Sequence, residues 1–179
     1  TDHKGKIKIM KLISASVLVL SFCSMLFAQN TSVYSSTKTS ACRTISSNAD
    51  EGGSYEGECS GVGGYKIRLL EGDIRQTINI ITPAKKKFEL NFWGFYGGFS
   101  YVGEKIEWRM KGKVPGAMIV RYNVAGSDDT QKSTSYLMVS KIGPRESCVT
   151  DVIMPGAKQN DESRMAADAA TTKVCKQID

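Results

Sequence analysis

Histidine is almost missing from this chain: the single one, His3, stands at its very start. Ser-His-Asp and Cys-His chemistry needs an imidazole to take and return a proton, so neither can be assembled farther along. Histidine-containing zinc sites and the His-Glu-x-x-His helix are excluded on the same ground. Proline is scarce too, with four residues in 179, and apolar runs are short after the first 28 positions. Charge is mixed, 24 Lys and Arg against 18 Asp and Glu, with a formal net charge of +6. Nucleic-acid binding wants Lys and Arg clustered on one face, which this sequence lacks, so no nucleic acid is expected as a partner.

What is present begins with a leader. Lys4, Lys6, Lys8 and Lys11 precede an uncharged stretch from Leu12 to Ala28 dominated by Leu, Val, Ile, Phe, Ser and Ala. A basic region followed by a short apolar region is the layout of a secretory signal. Met10-Lys11 starts it naturally, so residues 1–9 read as an upstream extension and 10–28 as a signal peptide. The run is too short for a spanning helix of about 20 residues, and no second one follows. No transmembrane span is expected in the mature chain. Cleavage after Ala28 gives a soluble exported form, periplasmic or extracellular. In the alternative, Leu20-Ser21-Phe22-Cys23 is a lipoprotein signal and Cys23 carries the lipid. Loss of the first 28 residues removes four lysines and Asp2 and leaves a net charge of +3.

Once Cys23 leaves with the signal, four cysteines remain: Cys42, Cys59, Cys148 and Cys175. An even count in an exported chain reads as a disulfide framework, and four cysteines allow three pairings. Cys42–Cys59 and Cys148–Cys175 are favoured because each closes a local loop. A four-cysteine zinc site would need close Cys-x-x-Cys spacing, which is absent. No metal or cofactor is expected, and nothing in the sequence sets an oligomeric state.

Gln29 to Ser40 is rich in Ser and Thr and reads as a flexible leader over 29–40. Residues 41–179 then form one disulfide-stapled domain. Tyr65-Lys66-Ile67-Arg68-Leu69 alternates apolar and basic residues, and Ile74, Gln76, Ile78 and Ile80 keep the same period of two. With Glu71-Gly72-Asp73 between them they predict a hairpin. Ile106 to Met110 is a third strand. Ala117–Val124 and Ser135–Ile142 form a second hairpin around the Gly126–Thr130 loop, and Cys148–Ile153 is the last strand. The connection lengths predict antiparallel pairing throughout. Asn160 caps a helix over 160–172, docking by Met165, Ala166, Ala169 and Ala170. The fold class is therefore mainly β, an antiparallel sheet of sandwich-like or barrel-like form with one C-terminal α-helix, or α+β if the helix is counted.

Three segments could carry function. Between Phe92 and Tyr101 six aromatics fall in ten positions, among them Phe92, Trp93, Phe95 and Tyr96. Rigid rings give contact area at low entropy cost, so an exposed cluster would bind a glycan or an envelope protein. Burial of the same rings would stabilise one end of the core instead. The second segment is Ser60-Gly61-Val62-Gly63-Gly64-Tyr65, which lacks the Gly-Lys-Ser/Thr ending of a phosphate loop. Over these six residues it resembles the Ser-Gly-rich loop of bacterial periplasmic lysozyme inhibitors, small disulfide-bonded β proteins. The resemblance implies that Ser60 and Tyr65 contact a lysozyme cleft, although a +3 chain gains no long-range attraction to a basic lysozyme. The third is acidic: Asp50, Glu51, Glu56 and Glu58, then Glu104 and Glu107. Paired carboxylates could hydrolyse a glycosidic bond, with Glu56, Glu104 and Glu107 as candidates, but residues three apart on a strand point to opposite faces. Asp128-Asp129 lacks the spacing of a calcium loop.

The function expected is a non-catalytic binding module of the bacterial envelope or exterior, ahead of a small carboxylate-dependent glycan hydrolase and a lysozyme inhibitor. Mass spectrometry of the exported protein should find a chain beginning at Gln29 with four crosslinked cysteines. A lipid-modified Cys23 would select the anchored form, and an intact leader with four free thiols would contradict export.

Overall fold

The computed structural model describes residues 30–50, 52–126 and 132–177. The expected signal peptide, the upstream extension, Cys23, Glu51 and most of the Gly126–Thr130 loop, with Asp128 and Asp129, lie outside the described residues.

A strand with three neighbours, β7, Ser100–Lys111, continues through the hairpin at Gly112 into β8, Val114–Ala125, and on to β9, Ser133–Lys141, and β10, Cys148–Ile153. The far side of β7 pairs with β1, Thr31–Ser36. This is a correction: the flexible leader expected over 29–40 contains a strand. Ser and Thr leave its backbone free to pair, and its side chains are held from across the sheet. Ser35 Oγ accepts from Trp108 Nε1 at 2.8 Å, and Ser32 Oγ accepts from Arg109 at 2.6 Å.

The other half comprises β2, Cys42–Asn48; β3, Ser54–Ser60; β4, Lys66–Gly72; β5, Arg75–Ile81; and the short β6, Lys87–Glu89. They pair in chain order, all antiparallel. The two halves join where Arg75 of β5 lies beside Ser100 of β7, and that bridge is parallel. The sheet is thus mixed rather than wholly antiparallel. The chain from 82 to 99 crosses over between the two strands, and only a long crossover lets neighbours run in the same direction.

The period-two pattern aims Ile67, Leu69, Ile78 and Ile80 of one half at Ile106, Trp108, Met118, Val120, Tyr122 and Met138 of the other, in one buried cluster. The back of the C-terminal half is apolar as well: Ala117, Ile119, Leu137 and Val139 are covered by α1, Gln159–Ala169, and the turn after it. The helix starts one residue before the expected cap, and its docking face is rotated from expectation. Ser163, Ala167 and Ala170 are buried, whereas Met165 is exposed. Small side chains let the helix approach closely. Its rotation is fixed by Arg164, which meets Glu107 at 2.8 Å, and by Asp168, four residues on, which takes both ends of Arg109 at 2.7 and 2.8 Å.

Both disulfides have the expected pairing. Cys42 and Cys59 lie directly opposite on β2 and β3. Cys148–Cys175 ties the tail beyond the helix to the start of β10, where Lys176 N–H also bonds Val149 O at 2.8 Å. No helix among the described residues is long and apolar enough to cross a membrane. Since the first crosslink closes a loop of separation 17, replacing Cys42 and Cys59 together by serine should cost about 3 kcal/mol, read as a lower urea midpoint with a slope no smaller, since the denatured chain loses a constraint. An unchanged midpoint would mean that β2 contributes nothing to the cooperative unit.

Candidate functional site

Helix α1 covers the back of the C-terminal half, whereas among the described residues no α-helix packs on the back of the N-terminal half. Register places Glu58, Arg68, Asn79 and Glu89 side by side across β3, β4, β5 and β6 on that outer face. Arg43 extends the row onto β2. Glu58 is the hub, receiving Lys66 at 2.7 Å, Arg68 at 3.2 Å and Arg43 at 3.3 Å. The hydrogen bond from Lys66 is the largest influence on its carboxyl. Partial burial opposes it, Arg43 and Arg68 reinforce it, and the pKa falls to about 2. Arg68 also pairs with Glu56, so its two terminal nitrogens are both engaged.

Beside this row lies an open groove of about 290 Å³, lined by Glu56, Arg68, Asn79, Lys87, Glu89 and Trp93. The turn that brings Trp93 there has a definite construction. After β6, Leu90 N–H reaches Ile78 O at 3.3 Å and Phe92 N–H reaches Thr77 Oγ1 at 2.9 Å, so the chain follows the free edge of β5. Asn91 adopts φ 44°, a left-handed conformation that asparagine tolerates, and Phe92–Gly94 forms a single 3₁₀ turn. Phe92 enters the core edge-on to Tyr122, with ring centroids 5.3 Å apart. Trp93 emerges on the outer face, 38 % exposed and outside both apolar clusters.

The aromatic segment therefore divides. Phe92 is a core residue, so that candidate binding residue is withdrawn. Phe95 and Tyr96 are half-buried, Tyr96 being stacked on Tyr136 at 4.1 Å. Phe99 and Tyr101, 41 % and 51 % exposed, turn toward a second groove of about 450 Å³ with Ile74, Glu71 and Gln76. Ile74 is 56 % exposed and, with Asp73, forms the two-residue turn of the first hairpin, at φ 57° and 51°. Glycine was expected in that turn, but Gly72 is the last residue of β4. A β-branched residue in this region is strained.

In the Ser60–Tyr65 loop, Ser60 is exposed while Tyr65 is 6 % exposed against Trp108. A side chain at Gly61 would meet Tyr65 O at 2.6 Å, so the glycine is required for this closure. With its tyrosine buried and its backbone bonded from Gly61 N–H to Tyr65 O, the loop does not present Tyr65 to a cleft. That candidate contact is also withdrawn.

The three carboxylates considered for hydrolysis lie apart. Glu56 pairs with Arg68 on the N-terminal half. Glu104 is exposed and meets Lys38 at 3.2 Å. Glu107 lies beneath α1, where burial raises its pKa but Arg164, Ser32 and Arg109 outweigh it and hold it below the usual value. Glu146 lies beside Cys148 and Cys175, yet those sulfurs are joined to each other and are not thiolate ligands.

Comparison with protein-family models, curated proteins and solved structures gives no match for this chain.

The charged row has a pH signature. An ordinary glutamate titrates near 4.5 and Glu58 near 2 when folded. A lowered carboxylate pKa contributes stability that is present above 4.5 and disappears as pH falls towards 2. Urea midpoints followed over that window should fall less steeply for Glu58→Gln than for the unaltered protein; parallel curves would contradict the hub.

Proposed function

We propose that this protein is an exported, non-catalytic binding module of the bacterial envelope or exterior, and that its ligand-facing surface is the outer face of the N-terminal half. The observation that carries this reading is Trp93, an exposed indole at the rim of a polar groove on a sheet face that α1 does not cover. Trp93 keeps 38 % of its surface in contact with solvent, where removing apolar area from water would be favourable. That ring and the hydrogen-bonding groups beside it together form contact area for a ligand. Two disulfides accord with an oxidising compartment outside the cytosol.

The hydrolase reading loses ground because a glycosidase needs two carboxyl groups about 5–9.5 Å apart flanking one bond. Glu56, Glu104 and Glu107 are each committed to a different cation at a different place. The lysozyme-inhibitor reading loses its tyrosine to the core. In a pull-down from envelope extract, the exported protein should retain a specific partner or glycan fraction that Trp93→Ala loses at least tenfold. Equal recovery by the two proteins would remove Trp93 from the binding surface.

A further inference from the structure

We infer that the groove beneath Trp93 is a saccharide site and that it takes an uncharged pyranose unit. This inference rests on the binding-module reading and names its ligand class.

The first argument is shape. A pyranose ring has a C–H face that is apolar and a rim of hydroxyls that is not. Its counterpart is a flat aromatic platform beside a polar wall, rather than an apolar pocket. Trp93 supplies the platform at the rim, and the groove of about 290 Å³ is at the small end of ligand clefts, which run about 300–1,000 Å³. The wall holds the groups that read hydroxyls. Asn79 and Asn91 offer amides that both donate and accept, Glu56 and Glu89 offer carboxylates, and Arg68 offers a guanidinium. Vicinal hydroxyls span two such atoms at once, which is why planar side chains suit them.

Charge is the second argument. The groove contains two carboxylates, Glu56 and Glu89, and two cations, Arg68 and Lys87. They are already matched: Glu56 with Arg68, and Glu89 with Lys87 at 2.7 Å. A phosphorylated, sulfated or free-amine sugar would have to break a pair to gain one. A neutral ligand accepts and donates hydrogen bonds while leaving both pairs intact.

Pre-organisation is the third. The backbone that presents Trp93 is anchored on one side by Phe92 in the core and by the bond from Phe92 N–H to the Thr77 hydroxyl. A platform already in place avoids an ordering cost on binding. The second groove, at Phe99 and Tyr101, has one carboxylate, Glu71, held by Gln76 at 2.6 Å, and no cation among its described lining residues; it serves as the control surface.

The test is isothermal calorimetry of the exported protein with cellotriose, maltotriose and chitotriose, each up to about 10 mM. The anionic comparator is trigalacturonic acid, and the cationic one is the deacetylated chitosan trimer. At least one neutral trisaccharide should bind saturably and at least tenfold more tightly than either charged one. Trp93→Ala should weaken it at least tenfold, Trp93→Phe about threefold or less, and Tyr101→Ser not at all. Near-UV circular dichroism confirms that each variant is folded. No heat with any neutral trisaccharide, preference for a charged one, or an unchanged Trp93→Ala overturns the saccharide inference. If none of them binds while envelope capture still depends on Trp93, the binding-module reading stands and this inference alone fails. If capture is also indifferent to Trp93, both fail.

Discussion

The edge of β5 is the constraint on which the molecule turns. Ile78 and Ile80 of this strand are in the core, and backbone groups beside a core must be paired. No single strand does this along the whole edge. β6 covers Asn79 to Ile81, Leu90 N–H bonds Ile78 O, Phe92 N–H bonds the Thr77 hydroxyl, and Ser100 N–H bonds Ile74 O at 3.0 Å. The Gln76 side chain completes the seam by accepting from Val102 N–H at 2.9 Å. The same seam joins the two halves of the sheet. The 3₁₀ turn Phe92–Gly94 at the end of this edge puts Phe92 in the core and Trp93 on the outer face. The candidate site is thus a by-product of closing the core.

The two halves treat their outer faces differently, and the residues show why. On β8 and β9 the outward positions include Ala117, Ile119, Leu137 and Val139, which need cover and receive α1. On β3, β4 and β5 they include Glu56, Glu58 and Arg68, which pair with one another, and Asn79 beside them. The open face is stable because its charges neutralise one another at close range, with Glu58 holding three cations. A groove on such a face is polar without carrying net charge, and that sets what it can hold.

Much of this was legible in the sequence. Alternation placed six strands, β4, β5 and β7 to β10, and the local spacing of Cys42, Cys59, Cys148 and Cys175 was enough to choose their pairing. β2 and β3 were not visible, because a strand made of Ser, Thr, Glu and Gly with polar residues on both faces has no period to read. β1 was hidden for the same reason, and what recruits it, Trp108 reaching Ser35, is 73 residues away. The helix was foreseen but not its rotation, since a stripe of alanines has no preferred side until Arg164 and Asp168 find Glu107 and Arg109. The candidate site was legible as a segment and not as a geometry: a glycine-interrupted run of rings carries neither a helical nor a strand period. Which ring enters the core depends on the Thr77 hydroxyl and the β5 edge, both distant in sequence.

The account therefore depends on one ring in and one ring out among two tryptophans, and acrylamide quenching of single-tryptophan variants measures it directly. With Trp108 replaced by phenylalanine, the remaining Trp93 should emit at long wavelength and be readily quenched. With Trp93 replaced instead, Trp108 should emit at shorter wavelength and resist the quencher. Equal quenching of the two, or a protected Trp93, would contradict the placement of the turn and, with it, the open site.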